Sequence, residues 1–214
     1  MVSSTDGLYF AYNNEGAAPN QLSVSRYGLG GLVSLGTQIS AGEAAYNPLI
    51  AAENGKTAVT YRSSGNQLRV KYYDAGSKTW KKAGDLSVTA GSGNIKIHKA
   101  TIYLLRNGGQ NANEMYTYDL SRTDSAWKKI GSNAYANESV VNTDICFHGD
   151  APHIIYYGNT SKELRVVNLV NNQWTALGKK AASGYISVAD IHYYRGIIYV
   201  VYLVHDAQNQ VIFK

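Results

Sequence analysis

Short runs of alternating apolar and polar residues recur along the whole chain, and each run ends in a polar turn. Residues 67–73, for example, carry an apolar side chain at nearly every second position, which is the periodicity of a β-strand. Glycine and asparagine stand at the joints, as in Asn54-Gly55, because hairpin turns require positive backbone φ angles. The pattern predicts short antiparallel strands joined by hairpins.

A longer repeat is superimposed on these strands. Four boxes, each made of Trp or Leu, two further residues, an apolar residue and Gly, recur every 47 or 48 residues and end at Gly36, Gly84, Gly131 and Gly178. A period in the forties with several strands per unit is typical of a radial array of small sheets. We therefore predict an all-β fold, specifically a β-propeller of about five blades, each of four antiparallel strands, with incomplete blades at the termini.

The repeat predicts a single domain over residues 1–214, because no linker or low-complexity segment divides the chain. The blade units are approximately residues 1–36, 37–84, 85–131, 132–178 and 179–214. Two alternatives to this single five-bladed domain stay open. In one the chain is a piece of a larger ring, and in the other it is a four-bladed ring with overlapping ends.

Composition narrows the range of partners. The 20 Lys and Arg residues exceed the 15 Asp and Glu residues, which gives a formal charge of +5, but the basic residues are scattered. A nucleic-acid groove would need a contiguous basic stripe, so we predict no nucleic-acid partner. Cys146 is the only cysteine, which excludes an intrachain disulfide. No apolar run approaches the length of a membrane span, so we predict no membrane insertion.

Asn and Asp residues recur near the start of the first strand of each repeat. Together with three histidines of the same strands they form a candidate polar cluster at the ring axis: Asn47, Asn94, His98, Asp144, His148, Asp190 and His192. Glycoside hydrolases use two such carboxylates, one as acid and one as base or nucleophile. A repeated Asn or Asp at a strand start also bonds to the local backbone without any substrate, and we prefer this interpretation. The histidines lack metal-ligand spacing, so we predict no metal. Because we prefer the structural interpretation of the Asn and Asp residues, we also predict no cofactor and no enzymatic activity.

A binding face is predicted where the loops between second and third strands meet the segments between blades. Its candidate ligand-binding residues are Tyr46, Arg62, Arg106, Tyr135, Asn159, Tyr185, His205 and Asp206. Tyr rings stack on the apolar face of a sugar, while Arg, Asn and Asp make directional hydrogen bonds to its hydroxyls. Good turn-forming propensity alone also explains loops rich in Asn and Ser.

The run from Thr57 to Tyr61, the strand from Gln67 to Asp74 and the box from Trp80 to Gly84 resemble the repeats of β-propeller lectins, including the fungal and bacterial fucose-binding type. The resemblance implies a non-catalytic, carbohydrate-binding domain with several weak sites that together give avidity. The Arg, Glu and aromatic residues that hold sugar in those lectins do not carry over, since Val70 and Val166 stand at the Glu position.

The predicted partner is a glycan or a cell-surface protein, and a dimer through open blade edges is a further expectation. The alternatives are a protein-interaction propeller that uses the same face and a glycoside hydrolase or lyase that uses Asp144 and Asp190. The polar residues 1–6 do not form a signal peptide. An extracellular or cell-surface location therefore presumes a leader outside this sequence, and a cytoplasmic location is the alternative.

Overall fold

The computed structural model describes residues 1–14, 21–86, 88–89, 91–108, 112–205 and 211–213. Its regular secondary structure consists of twenty β-strands. Among these residues, no helix is long and apolar enough to cross a membrane. The alternation of apolar and polar side chains thus produces the all-β fold that it predicts.

Five antiparallel sheets follow one another along the chain, and in each the strands pair in chain order. The first contains β1 (Val2–Ser4), β2 (Gly7–Asn14), β3 (Gln21–Gly28) and β4 (Gly31–Gly36). The second contains β5 (Ala45–Glu53), β6 (Lys56–Ser63), β7 (Leu68–Asp74) and β8 (Thr79–Lys82). The third contains β9 (Ser92–His98), β10 (Thr101–Asn107), β11 (Asn113–Asp119) and β12 (Lys128–Ile130).

The last two sheets differ slightly from the first three. The fourth contains β13 (Val140–His148), β14 (Ala151–Gly158), β15 (Glu163–Val170) and β16 (Gln173–Ala176), with β17 (Ala182–Ser183) added beside β15. The fifth contains β18 (Tyr185–Tyr194), β19 (Ile197–His205) and β20 (Val211–Phe213). The expected incomplete unit at the end of the chain thus corresponds, in the part of the chain that the structure describes, to a sheet of three strands. The number of blades in a ring stays a prediction.

A bulge interrupts the first strand of three sheets. The register of these strands corrects the alignment of Asn47 that was made from the sequence. In the second sheet the pairing of β5 with β6 skips from Tyr46 to Leu49, and Asn47 takes a positive φ of 50°. Counted back from the hairpin, Leu49 rather than Asn47 occupies the position of Asp144 and Asp190. The prediction that Asn47 belongs to the row of Asn94, Asp144 and Asp190 is therefore wrong, because Asn47 matches Asn142, which stands at the same bulge of β13 with a φ of 51°.

The hydrophobic core lies between the faces of consecutive sheets. In one cluster Tyr9, Leu22 and Val24 of the first sheet pack against Ile50 and Val59 of the second. In another, side chains of β13, β14 and β15 pack against Ile186 and Ile191 of β18. The inner strands bury side chains on both faces, since β14 is buried at every residue from Pro152 to Gly158.

The repeated box has a structural explanation in an interlock between neighbouring sheets. The indole N–H of Trp80 donates to the carbonyl of Leu35 at 2.9 Å, and the indole N–H of Trp127 donates to the carbonyl of Ala83. The acceptor is in each case the residue before the box glycine of the preceding sheet. A Cβ atom on Gly36 would lie 2.9 Å from Nε1 of Trp80, and one on Gly131 would collide with the indole of Trp174. Glycine is required at Gly36 and Gly131 because the indole occupies the space of a side chain.

The chain divides into two compact units. One unit is residues 1–90, 95–103 and 117–128, and the other is residues 91–94, 104–116 and 129–214. The strand β17 belongs to the fourth sheet, although the repeat assigns residues 179–214 to the fifth blade. A single domain over residues 1–214 stays a prediction.

Candidate functional site

Asp144, the central member of the candidate axial cluster, is buried and fully engaged with its neighbours. Its Oδ1 atom accepts a hydrogen bond from Nδ2 of Asn94 at 2.8 Å, and its Oδ2 atom accepts one from the backbone N–H of Ile191 at 3.4 Å. Asn94 also donates to the carbonyl of Thr143 at 2.9 Å. The carboxylate thus connects β13 to β9 and β18, which is a structural arrangement.

Asp190 and the three histidines have other surroundings. The Oδ1 atom of Asp190 accepts from the backbone N–H of Ile191 at 2.9 Å, so Asp144 and Asp190 share one donor. The ring of His148 stacks on Tyr193 with the centroids 4.5 Å apart, and Nδ1 of His98 lies 3.5 Å from Oε1 of Glu53. His192 is exposed on β18. No set of three His, Cys, Asp or Glu side chains suited to a metal ion occurs in the described part of the chain.

Tyr135, predicted on the ligand-binding face, is instead part of the interior. Only 3% of it is exposed, its hydroxyl donates to Oδ1 of Asn107, and its ring packs edge-on against Trp174. Burial raises the pKa of the Tyr135 hydroxyl far above its ordinary value. The assignment of Tyr135 to an accessible binding surface is therefore wrong, since packing against Trp174 and Tyr156 covers the ring.

Tyr46 and Arg62 do lie together on an accessible surface. They face each other across β5 and β6, and the guanidinium carbon of Arg62 lies 5.3 Å from the centroid of the Tyr46 ring. This is the geometry of a cation–π contact, and 37% of Tyr46 is exposed. The pair offers an aromatic surface with a charged hydrogen-bond donor beside it.

Arg106 belongs to a charged cluster centred on Glu114. The carboxylate of Glu114 accepts from Nη1 of Arg106 at 3.0 Å, from the hydroxyl of Tyr116 at 2.6 Å and from Nζ of Lys129 at 2.8 Å. Burial alone would raise the pKa of Glu114, but these donors lower it below its ordinary value. Arg106 is thereby held by protein groups rather than presented to a ligand.

Asn159 lies beside a polar hollow of about 380 Å³. The hollow is lined by Asn137, Glu138, Ser139, Thr160 and Ser161. The Oε2 atom of Glu138 accepts from the backbone N–H groups of Thr160 and Ser161, each at 2.9 Å. Burial raises the pKa of Glu138 and the two backbone donors lower it, with a net shift below its ordinary value.

The loop that carries Asn159 is fixed at a second point. The backbone N–H of Asn159 donates to the carbonyl of Ser139 at 2.9 Å, and Nδ2 of Asn159 donates to Oγ of Ser139 at 3.3 Å. None of the lining residues is among the eight predicted ligand-binding residues, although the hollow lies between a segment that joins two sheets and a loop from second to third strand, where the sequence places the binding face. Their only sequence signal is the clustering of hydroxyl and amide residues at 137–139 and 159–161, which turn propensity explains equally well.

The three other predicted binding residues lie at the end of the chain. Tyr185 begins β18 and is 63% exposed. His205 is the last residue of β19. Asp206 lies outside the described residues. Tyr185 is therefore exposed, and its role in ligand binding stays a prediction.

Comparison with known proteins gives a likeness in structure and none in sequence. No family model and no curated protein sequence matches the chain. Among solved structures, a prolyl endopeptidase from an analysis of two such enzymes is 13% identical with a TM-score of 0.57, over 92% of this chain and 30% of that chain. Trypanosoma rangeli sialidase is 14% identical with a TM-score of 0.55, over 97% of this chain and 37% of that chain.

The same sialidase in complex with sialic acid is similar to a comparable degree, with a TM-score of 0.56 and 13% identity over 97% of this chain. The chain spans about a third of the length of these structures. At this identity the likeness concerns the fold alone. The chain is therefore similar in its all-β architecture to propeller-type proteins.

Proposed function

We propose that this chain is a non-catalytic recognition domain that binds carbohydrate through its loops between second and third strands. The observation that carries the proposal is the hollow formed by residues 137–139 and 160–161. Its walls offer hydroxyl, amide and carboxylate groups, which pair with the hydroxyls of a sugar as donors and acceptors. Its volume of about 380 Å³ falls within the range of small-molecule sites.

The hollow is also preorganised. Glu138 ties its two walls together through the backbone N–H groups of Thr160 and Ser161. A site whose walls are held before binding loses less conformational freedom when a ligand enters. The exposed pair of Tyr46 and Arg62 supplies a second surface of the kind on which a sugar ring stacks. Each sheet is, on this proposal, one blade of a propeller.

The experiment that tests this proposal is a glycan-array screen of the purified chain and of a Ser139→Ala/Thr160→Val variant. Removing two hydroxyls from the hollow should abolish retention of the bound sugars and leave the melting temperature unchanged. The control is Ser77→Ala, which removes a hydroxyl from the turn between β7 and β8. A folded protein that retains no sugar, or a double variant that retains the same sugars equally well, would overturn the proposal.

A protein ligand is the second candidate, favoured by exposed apolar residues on the last sheet. Tyr194, Ile197, Tyr199 and Val201 are each about half exposed, and clustered aromatic and aliphatic side chains are typical of interface cores. The glycoside hydrolase alternative predicts that Asp144→Ala and Asp190→Ala abolish turnover of a glycoside substrate. The engagement of both oxygens of Asp144 with Asn94 and Ile191 does not favour it.

A further inference from the structure

One charged side chain stands among the described residues that line the polar hollow, and it is that of Glu138. The four other lining residues are neutral: Asn137, Ser139, Thr160 and Ser161. Burial raises the pKa of Glu138, but donation from the backbone and hydroxyl of Ser161 and from the backbone of Thr160 lowers it below its ordinary value. The carboxylate is therefore ionised at neutral pH, and a ligand in the hollow meets a fixed negative charge.

Gly158 makes room for this carboxylate. A Cβ atom on Gly158 would collide with Oε1 of Glu138 and with Oγ of Ser161. Gly158 does not have a positive φ, so space rather than backbone conformation requires glycine here. The carboxylate thus lies against the last residue of β14, and a side chain at that residue would have to displace it.

Glu43 occupies the equivalent position in the second sheet and has a different partner. Glu43 and Glu138 each stand two residues before the first strand of their sheet. The strand pairing puts Ser63 in the place of Gly158, and the carboxylate of Glu43 lies 3.5 Å from Nε of Arg69. Glu43 is thus paired with a guanidinium, whereas the hydrogen-bond donors to Glu138 are uncharged.

We propose that the hollow is selective for uncharged sugars and that Glu138 is the residue that excludes acidic ones, an inference that rests on the proposed function. A carboxylate accepts hydrogen bonds from the hydroxyls of a neutral sugar. A carboxylate or sulfate group on the sugar would instead lie near a like charge, and such repulsion is a common source of specificity.

The size of the hollow keeps an acidic group close to Glu138. In a space of about 380 Å³, a bound monosaccharide cannot hold its acidic group much farther from Glu138 than the Debye length of roughly 8 Å at physiological salt. Arg165 contributes a positive field at Glu138, but its Nε and Nη2 atoms donate to Oε2 of Glu163 at 3.0 and 2.5 Å. Arg165 is also not a lining residue, so it does not meet the ligand.

The test is a glycan array on which each neutral sugar stands beside the counterpart that carries a carboxylate or a sulfate ester, such as galactose beside galacturonic acid. We expect the acidic member of each retained pair to bind about tenfold or more weakly. Equal or stronger retention of the acidic members would overturn this inference and leave the proposed function standing. An array that retains no sugar overturns both.

A matched pair of variants assigns the selectivity to one residue. Glu138→Gln keeps an oxygen that accepts from the backbone N–H groups of Thr160 and Ser161 and removes the charge. It should raise the binding of acidic sugars relative to neutral ones by about tenfold. Glu43→Gln makes the same change in net charge at the equivalent position and should leave that ratio unchanged. An equal effect of the two variants, or no effect of Glu138→Gln, contradicts the inference.

The dependence on salt tests the charge without any substitution. Raising the ionic strength from about 0.01 M to about 1 M shortens the Debye length from about 30 Å to about 3 Å. The unaltered chain should then bind the acidic and neutral members of a pair more nearly equally, while its binding of the neutral member stays the same. A ratio that does not move with salt overturns the inference, even if Glu138→Gln fails to fold.

Discussion

The hydroxyl group of Tyr135 lies inside the protein and donates a hydrogen bond to Oδ1 of Asn107. Both residues are at least nine-tenths buried, so neither polar group can turn to water when the other is removed. A hydrogen bond between two buried groups typically contributes about 0.5–1.5 kcal/mol to stability. This pair should therefore be measurable in the free energy of unfolding.

The substitution Tyr135→Phe should lower the free energy of unfolding by about 0.5–1.5 kcal/mol, because it removes a hydrogen bond between two buried side chains. The ring and its packing against Trp174 are kept. Urea denaturation measures the change. The control is Tyr27→Phe on a residue that is 54% exposed, where we expect less than about 0.5 kcal/mol. Equal effects of the two changes would refute the buried pair.

The ionisation of Glu114 predicts how the free energy of unfolding depends on pH. Its folded-state pKa lies below the ordinary value of 4.5, so its ionised form stabilises the fold above that pH, and this stabilisation is lost as the pH falls through the folded-state pKa. Glu114→Gln should therefore cost on the order of 1–2 kcal/mol at pH 7 and progressively less below about pH 4.5. Urea denaturation at pH 7 and pH 3 tests this.

The control for Glu114 is Glu43→Gln. The carboxylate of Glu43 is 3.5 Å from Nε of Arg69, with 43% of its side chain exposed, and exposed pairs contribute little to stability. We expect Glu43→Gln to change the free energy of unfolding by less than about 0.5 kcal/mol. A Glu114→Gln variant whose destabilisation is the same at pH 7 and pH 3 would show that the charge of Glu114 is not what matters.

At the scale of the element, one Trp indole joins each of the first three sheets to the next. Trp80 of β8 reaches the carbonyl of Leu35 and the glycine Gly36, which end the previous box. The lysines that follow two of the box Trp residues, at 81–82 and 128–129, are accordingly surface positions of a repeated strand. The repeat of about 47 residues in the sequence thus corresponds to a Trp–Gly contact that recurs between neighbouring sheets.

Gly131→Ala and Gly178→Ala make a matched pair that separates this contact from backbone strain. Both glycines have positive φ, 83° and 72°, so each substitution costs about 1–2 kcal/mol from conformation alone. Only at Gly131 does the added methyl group collide with Trp174, which should add about 1–3 kcal/mol. Chemical denaturation gives both values. Equal destabilisation by the two changes would mean that the indole contact contributes nothing.

At the scale of the whole molecule, the first and last sheets each carry exposed aromatic or aliphatic side chains opposite their buried ones. Tyr9 of β2 is buried against the second sheet, whereas Tyr12 and Tyr27 in the same sheet are about half exposed. In the last sheet Val200 packs into the core with Ile155 and Ile191, and its neighbour Val201 is 53% exposed. The exposed side chains on these two sheets are aromatic or aliphatic, like the side chains that other sheets bury.

The adjacent residues Val200 and Val201 provide a test of which face is covered. Val200→Thr places a hydroxyl among apolar side chains and should lower the free energy of unfolding by about 1–2 kcal/mol. Val201→Thr should change it by less than about 0.5 kcal/mol and reduce any self-association seen by sedimentation. A larger loss of stability for Val201→Thr would show that the outer face of this sheet is covered in solution.

Much of the architecture and part of the candidate site were predictable from local patterns. The hairpin at Asn54-Gly55, the strand that contains residues 68–73 and the Trp and Gly boxes occur as expected. The accessibility of Tyr46 and Tyr185 also agrees with the sequence. The polar hollow lies where a segment between two sheets meets a loop from second to third strand, as the sequence places the binding face, but the hydrogen bonds of Glu138 to Thr160 and Ser161 were not predictable, because they join residues more than 20 positions apart.

The sequence by itself determined the strands, the turns and the 47-residue repeat, because these depend on side-chain alternation and on backbone conformations at Gly and Asn. Only the tertiary structure decided that Tyr135 is buried, that Asn47 leaves the row of Asp144 and that Asp144 binds neighbouring strands. Burial depends on residues far away along the chain, and the register of a bulged strand is fixed by its pairing with the next strand.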